Sequence, residues 1–206
     1  MGSGVSIKRH FSRFFWAYLL AGAFSVSLWS WVIPAKTKPK ANETVGVFIG
    51  AKEVDQNAMK EKILGVDDPS LISAEIYVQD PDGVYFGPSI QSSGKLSSDF
   101  FILPNSIDDS FILSLCAYMN AEVWGTMFPY LGDVVEIDGR QYGMAIPQEK
   151  IDMYLPLDID KTRSYSLFIN RLSLNFDGLY SPDGKKAETN HALRAIESLF
   201  GGGQDA

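Results

Sequence analysis

The sequence predicts an α/β domain displayed behind an N-terminal transmembrane helix. Three observations carry that prediction: an uncharged run of 20 residues from Phe14 to Ile33, a strand–helix–strand pattern over residues 44–79, and an Asp-Gly turn between two apolar runs. Each is taken here in chain order.

Residues 14–33, FFWAYLLAGAFSVSLWSWVI, would rise about 30 Å as a helix, the thickness of a bilayer's hydrocarbon core. Trp16, Trp29 and Trp31 lie near the two ends of the run, where indole rings favour the headgroup level. A buried core helix rarely runs this long without a polar face. A cleavable signal peptide is the competing reading, because Lys8, Arg9 and Arg13 form a positive leader. Yet the apolar run exceeds the usual signal core and ends in Trp31-Val32-Ile33-Pro34 instead of a small-x-small cleavage site. An uncleaved signal anchor is therefore expected. The lysines after the run (Lys36, Lys38, Lys40) nearly balance the basic residues before it. The short segment 1–13 is expected in the cytoplasm and residues 35–206 outside it, as a single-pass protein of the cell membrane.

Residues 34–43, PAKTKPKANE, read as a stiff solvated tether, with two prolines, three lysines and no large apolar side chain. Residues 44–200 form the extracytoplasmic domain, and 201–206 a fraying tail. About 165 residues beyond the anchor suffice for one domain with its own core. The net charge of −7 argues against a nucleic-acid partner, which needs a clustered basic surface.

Within the domain, Val45, Val47, Phe48 and Ile49 make a continuous apolar run that suits a strand buried on both faces. Asp55 is placed to cap a helix carrying Ala58, Met59, Ile63 and Leu64, which Gly65 closes. Ile72, Ala74, Ile76 and Val78 then alternate with polar residues, the mark of a strand with one wet face, stopped by Asp80-Pro81-Asp82-Gly83. Strand, helix and strand in this length are a βαβ unit. Residues 87–98 read as loop or short helix. Phe100–Leu103 is a second apolar strand ended by Pro104, and Ile107–Met119 a helix with Asp108 and Asp109 in its first turn. Val134–Ile137 and Tyr142–Ile146 flank Asp138-Gly139, a strong hairpin signal. Residues 147–163 give no clear pattern. Residues 164–171 form another strand, 177–186 a turn-rich loop, and Ala187–Phe200 a closing helix.

The catalytic inventory is thin. One cysteine, Cys116, in an apolar setting reads as a buried small hydrophobe, and it excludes a disulfide framework. With two histidines, His10 and His191, no common zinc site can be assembled, and no cofactor or metal is expected. His191 reads as a solvated or capping histidine. Ser–His–Asp catalysis through it is a minor alternative, since no Gly-x-Ser-x-Gly elbow is present. Asp158-Ile-Asp160 and Asp80-Pro-Asp82 lack the remaining ligands of a calcium loop and read as turn formers. An envelope hydrolase using two carboxylates is a further alternative, but nothing singles out a pair. Tyr85, Phe86, Trp124, Phe128, Tyr130, Tyr142 and Tyr180 fall in or near loops. Most of them must be core, and Trp124, Tyr130 and Tyr142 are the candidates to line a cleft or partner surface.

The order of these segments resembles the first lobe of extracellular solute-binding proteins of ABC importers, in the sugar-binding branch. Two motifs carry the likeness: Asp99–Pro104 (DFFILP), and the hairpin with Asp138, Gly139, Arg140, Tyr142, Gly143 and Pro147. The resemblance covers residues 44–147 and implies a single periplasmic-binding-protein-like lobe, a βαβ-rich mixed sheet flanked by helices. Family members have two lobes and about twice this length. Here the chain holds one. The expected function is a membrane-anchored binding or accessory module, with a sugar or other small solute, ABC importer subunits or another envelope protein as partner. A structural or protein-interaction domain of the envelope that has lost small-molecule binding is the alternative.

Overall fold

The computed structural model describes residues 4–37, 39–176 and 189–202. The chain divides into two compact units, Met1–Pro39 and Lys40–Ala206. The first is helix α1, Gly4–Thr37, which overruns the predicted 14–33 segment at both ends. Its side chains from Phe14 to Trp29 are exposed, including Trp16, Leu20, Phe24 and Val26. They are described as far as Ser30, short of the Trp31, Val32 and Ile33 that complete the uncharged run. Among the described residues, no helix is long and apolar enough to cross a membrane. The expected tether is altered: residues 34–37 continue the helix and Ala41–Glu43 form a 3-10 turn.

In the second unit the strands are β1 Thr44–Ile49, β2 Ser73–Val78, β3 Phe100–Pro104, β4 Val134–Ile137, β5 Arg140–Ile146 and β6 Tyr165–Ile169. The helices are α2 Gln56–Leu64, α3 Phe86–Ser89, α4 Lys95–Ser97, α5 Asp109–Leu115, α6 Ala121–Met127, α7 Gln148–Ile151, α8 Asp158–Lys161 and α9 His191–Ile196. The strands make one six-stranded mixed sheet in the order β2-β1-β3-β6-β5-β4. β1 is parallel to β2 and β3, and the remaining pairings are antiparallel. The predicted mixed α/β domain with a flanked sheet is what forms.

Burial explains the order. β1 is buried from Val45 to Ile49 because helices cover both faces of the central strands. Val45, Val47, Ile49, Phe100, Ile102 and Leu167 join one apolar layer with Met59 and Ile63 of α2 and Ala195 and Ile196 of α9. Phe48, Phe101, Leu103 and Phe168 point the other way, onto Phe86, Ile112 and Leu115. Each such side chain withdrawn from water contributes about 1.5–3 kcal/mol. β2 lies at the edge, so the predicted alternation holds for Ala74 and Ile76 alone: Ile72 precedes the strand and is exposed, and Val78 is only partly buried. The βαβ unit has the predicted caps: Asp55 accepts from the amide of Ala58, and the Gly65 amide donates to the Glu61 carbonyl.

Asp138 and Gly139 both take the left-handed backbone, at φ 51° and 74°, as a tight hairpin between β4 and β5 needs. The predicted helix 107–119 is shorter than expected. It stops at Leu115, where Cys116 pairs with Asn170 as an isolated bridge, and a separate helix, α6, starts under an Asn120 cap. Cys116 is buried, as read from the sequence, and burial pushes its thiol up. Residues 86–97 are helical throughout, with a π-turn at Ile90–Gly94 between α3 and α4.

Candidate functional site

The chain runs from β1 to β2 on one side and then returns to β3 on the other. In open α/β sheets, the crevice beyond the carboxyl ends of strands at such a reversal is where ligands bind. Here that edge begins at Gly50, whose amide donates to the Ile102 carbonyl at 2.9 Å. Two residues on, the Lys52 amide donates to Asp160 Oδ2, also at 2.9 Å. Asp160 belongs to α8 and is fully buried, 0% exposed. Its second oxygen, Oδ1, has no hydrogen-bond partner among the described residues, and neither does the buried hydroxyl of Tyr165. Arg163 Nε lies 4.0 Å from that Oδ1, beyond hydrogen-bond reach.

Arg163 is committed elsewhere. Its Nη2 and Nη1 reach Asp82, in the turn after β2, at 2.5 and 3.4 Å. The Arg163 guanidinium holds the Asp82 carboxyl below the usual range, helped by Lys52. Burial, and then the nearby Asp160 charge, push the Tyr165 phenol up. Beside this cluster, a hollow of about 680 Å³ opens over the start of α2, lined by Lys52, Glu53, Asp55, Gln56, Asn57, Val78 and Pro156. Amides, carboxylates and an ammonium on one wall suit a small polar molecule. A buried carboxylate oxygen with no hydrogen bond costs about 1–3 kcal/mol or more; Asp160 and Tyr165, both fully buried, lie behind the hollow and do not line it.

The three aromatic candidates do not come together. Trp124 is 0% exposed, donates its indole N–H to the Gln141 carbonyl at 3.3 Å and stacks on Phe128. Tyr142 is buried in the other apolar layer, edge-on to Tyr118. Both are core residues in place of the cleft residues expected, because α6 and β5 turn those rings inward. Tyr130 alone reaches a surface hollow, of about 580 Å³, shared with Thr126, Met127, Pro129, Leu193, Glu197 and Gly201. Its ring faces the Lys150 ammonium, 5.3 Å from the centroid, and burial raises its phenol's pKa. Of the other loop aromatics, Phe86 and Phe128 are buried, Tyr85 is exposed and Tyr180 lies outside the described residues.

His191 departs from the solvated reading. It is 3% exposed, with Nδ1 2.8 Å from Asp68 Oδ2 and Nε2 3.4 Å from Ser70 Oγ. Ser70 Oγ also donates to Asp68 Oδ1 at 2.6 Å, and Arg194 Nη1 donates to Oδ2 at 2.7 Å. The Ser70 hydroxyl and the other donors, opposed by burial, hold the Asp68 carboxyl down at about 2. The clue in the sequence is Asp68-Pro69-Ser70, a turn that presents carboxylate and hydroxyl together, but nothing there points 121 residues ahead to His191.

Asp99 of the DFFILP motif sits at the opposite, amino edge of the sheet. Its carboxylate accepts from the Gly46 amide at 2.9 Å, from Ser173 Oγ at 2.7 Å and from Asn175 Nδ2 at 3.1 Å on both oxygens. Burial still raises its pKa against those donors. Asp99 ties the starts of β1 and β3 to the segment after β6 and has no open side. Gly46 is required there, since a Cβ would fall 1.9 Å from the Ser97 carbonyl oxygen. In comparisons with known protein families, with curated proteins and with solved structures, nothing matches this chain.

Proposed function

We propose that this chain is a membrane-anchored, extracytoplasmic binding module, a single lobe resembling those of ABC-importer solute-binding proteins, that takes a small polar solute at the carboxyl edge of β1 and β2. The observation that carries the reading is the pair of buried polar groups, Asp160 Oδ1 and the Tyr165 hydroxyl, that have no hydrogen bond among the described residues, at the sheet edge beside a polar hollow. The Phe14–Ile33 run within α1 supports the anchor, and the basic residues ahead of it support a cytoplasmic N-terminus.

In this reading the ligand meets Lys52, Gln56 and Asn57, which line the hollow, while Asp160, fully buried behind them, holds the Lys52 backbone in place. A second reading, a protein-interaction domain of the envelope, rests on the exposed Val84 and Tyr85 in the turn after β2. A thermal-shift screen of residues 40–206 against sugars, oligosaccharides, amino acids and divalent metals separates the two. A solute at 100 times its Kd adds about 2.7 kcal/mol of stability, so the binding reading predicts a clear rise in Tm for at least one solute class. A flat response across the panel rejects it and favours the protein partner.

A further inference from the structure

We propose that Ser70, His191 and Asp68 form a nucleophilic serine centre that accepts acyl groups from small esters, at a site apart from the solute-binding edge. The wiring is that of a catalytic triad: carboxylate to imidazole Nδ1, and imidazole Nε2 to hydroxyl. His191 Nδ1 lies 2.8 Å from Asp68 Oδ2, the arrangement in which Nδ1 donates to the carboxylate and Nε2 serves as the base. That lone pair faces Ser70 Oγ at 3.4 Å, within the looser distances that nucleophile and base show before substrate binds. Asp68 and His191 are buried at 8% and 3% exposure, whereas Ser70 is exposed. The base is thus shielded while the nucleophile opens to solvent.

At rest the hydroxyl proton points to Asp68 Oδ1, 2.6 Å away. A turn about the Ser70 Cβ–Oγ bond moves it to the imidazole. The Asp68 carboxylate holds the Ser70 amide and hydroxyl at 3.1 and 2.6 Å, and that same hydroxyl lies 3.4 Å from His191 Nε2, so one turn brings all three groups together. In the step proposed, Ser70 Oγ bonds to the ester carbonyl carbon as its proton passes to His191 Nε2. The ester C–O bond then breaks and the departing alcohol takes that proton. Water, deprotonated by the same nitrogen, releases the acid and restores the serine. Arg194, whose side chain is half exposed, keeps guanidinium N–H groups beside the carboxylate to meet negative charge on the acyl oxygen.

The test is labelling of the full chain in detergent with a fluorophosphonate probe, which phosphorylates activated serines with loss of fluoride, read by peptide mass spectrometry. The proposal expects an adduct on Ser70, and at least a tenfold slower labelling in His191→Gln. No adduct on Ser70 in the wild-type protein overturns it, as does equal labelling of wild type and a folded His191→Gln. If His191→Gln fails to fold, Asp68→Asn with retained melting behaviour replaces it, with the same tenfold criterion. Binding of a solute at the carboxyl edge is untouched by either outcome.

Discussion

Two buried aspartates occupy opposite edges of one sheet and are treated differently. Asp99, at the amino edge, accepts from a backbone amide, a serine hydroxyl and an asparagine amide that reaches both of its oxygens. Asp160, at the carboxyl edge, accepts from the Lys52 amide through one oxygen, while the other has no hydrogen bond among the described residues. A fully satisfied buried polar network rigidifies a fold, and a half-satisfied one costs stability unless something completes it. The contrast sets a satisfied network at the amino edge against a half-satisfied one at the carboxyl edge, where the proposed solute would sit.

The largest expected effect is on the amino edge. Asp99→Ala strands the Gly46, Ser173 and Asn175 donors in a buried setting and is expected to cost at least about 3 kcal/mol, measured by urea unfolding. A loss below 1 kcal/mol would break the comparison. Next, Asn175→Ala removes the amide that also donates to the Ala41 and Thr44 carbonyls at 3.0 and 2.9 Å, with an expected cost of about 2 kcal/mol. Tyr165→Phe sharpens the contrast from the other side. It deletes a hydroxyl that has no hydrogen-bond partner among the described residues, so stability should stay within about 1 kcal/mol of wild type, while any solute-induced rise in Tm should shrink.

A pH titration separates the buried acids by sign. Asp68 is held down at about 2 from an ordinary value of 3.8, so the stability it contributes is present above 3.8 and is lost as pH falls toward 2. Asp99 is raised, so its contribution is present in acid and is lost as pH rises above the ordinary carboxylate range through the folded value. Unfolding followed from pH 2 to 4 should therefore show a flatter acid limb in Asp68→Asn than in wild type. An unchanged limb would contradict the His191–Asp68–Ser70 geometry.

The sheet was legible where burial is written into side-chain type. The apolar run of β1, the alternation of β2, the Asp55 and Gly65 caps and the Asp138-Gly139 turn each reflect a local physical demand, and each forms. The sites were not legible, because their partners are distant in sequence. Asp160 comes from the patternless stretch 147–163, and its meaning arises only when Lys52, 108 residues earlier, meets it. Trp124 misled because a short, Asn120-capped helix leaves a weak periodic signal, and a tryptophan near loops looks exposed until α6 packs it inward. Asp99, which opens the DFFILP motif, serves the architecture.

The most direct test is the melting temperature of wild type and Asp160→Asn, measured side by side across the solute panel. The account predicts that at least one solute raises the wild-type Tm and that none raises the variant's, while the two unliganded proteins melt within a few degrees, the shift that about 1 kcal/mol produces in a domain of this size. A panel that leaves wild type unmoved, or a solute that stabilises both proteins equally, would contradict it.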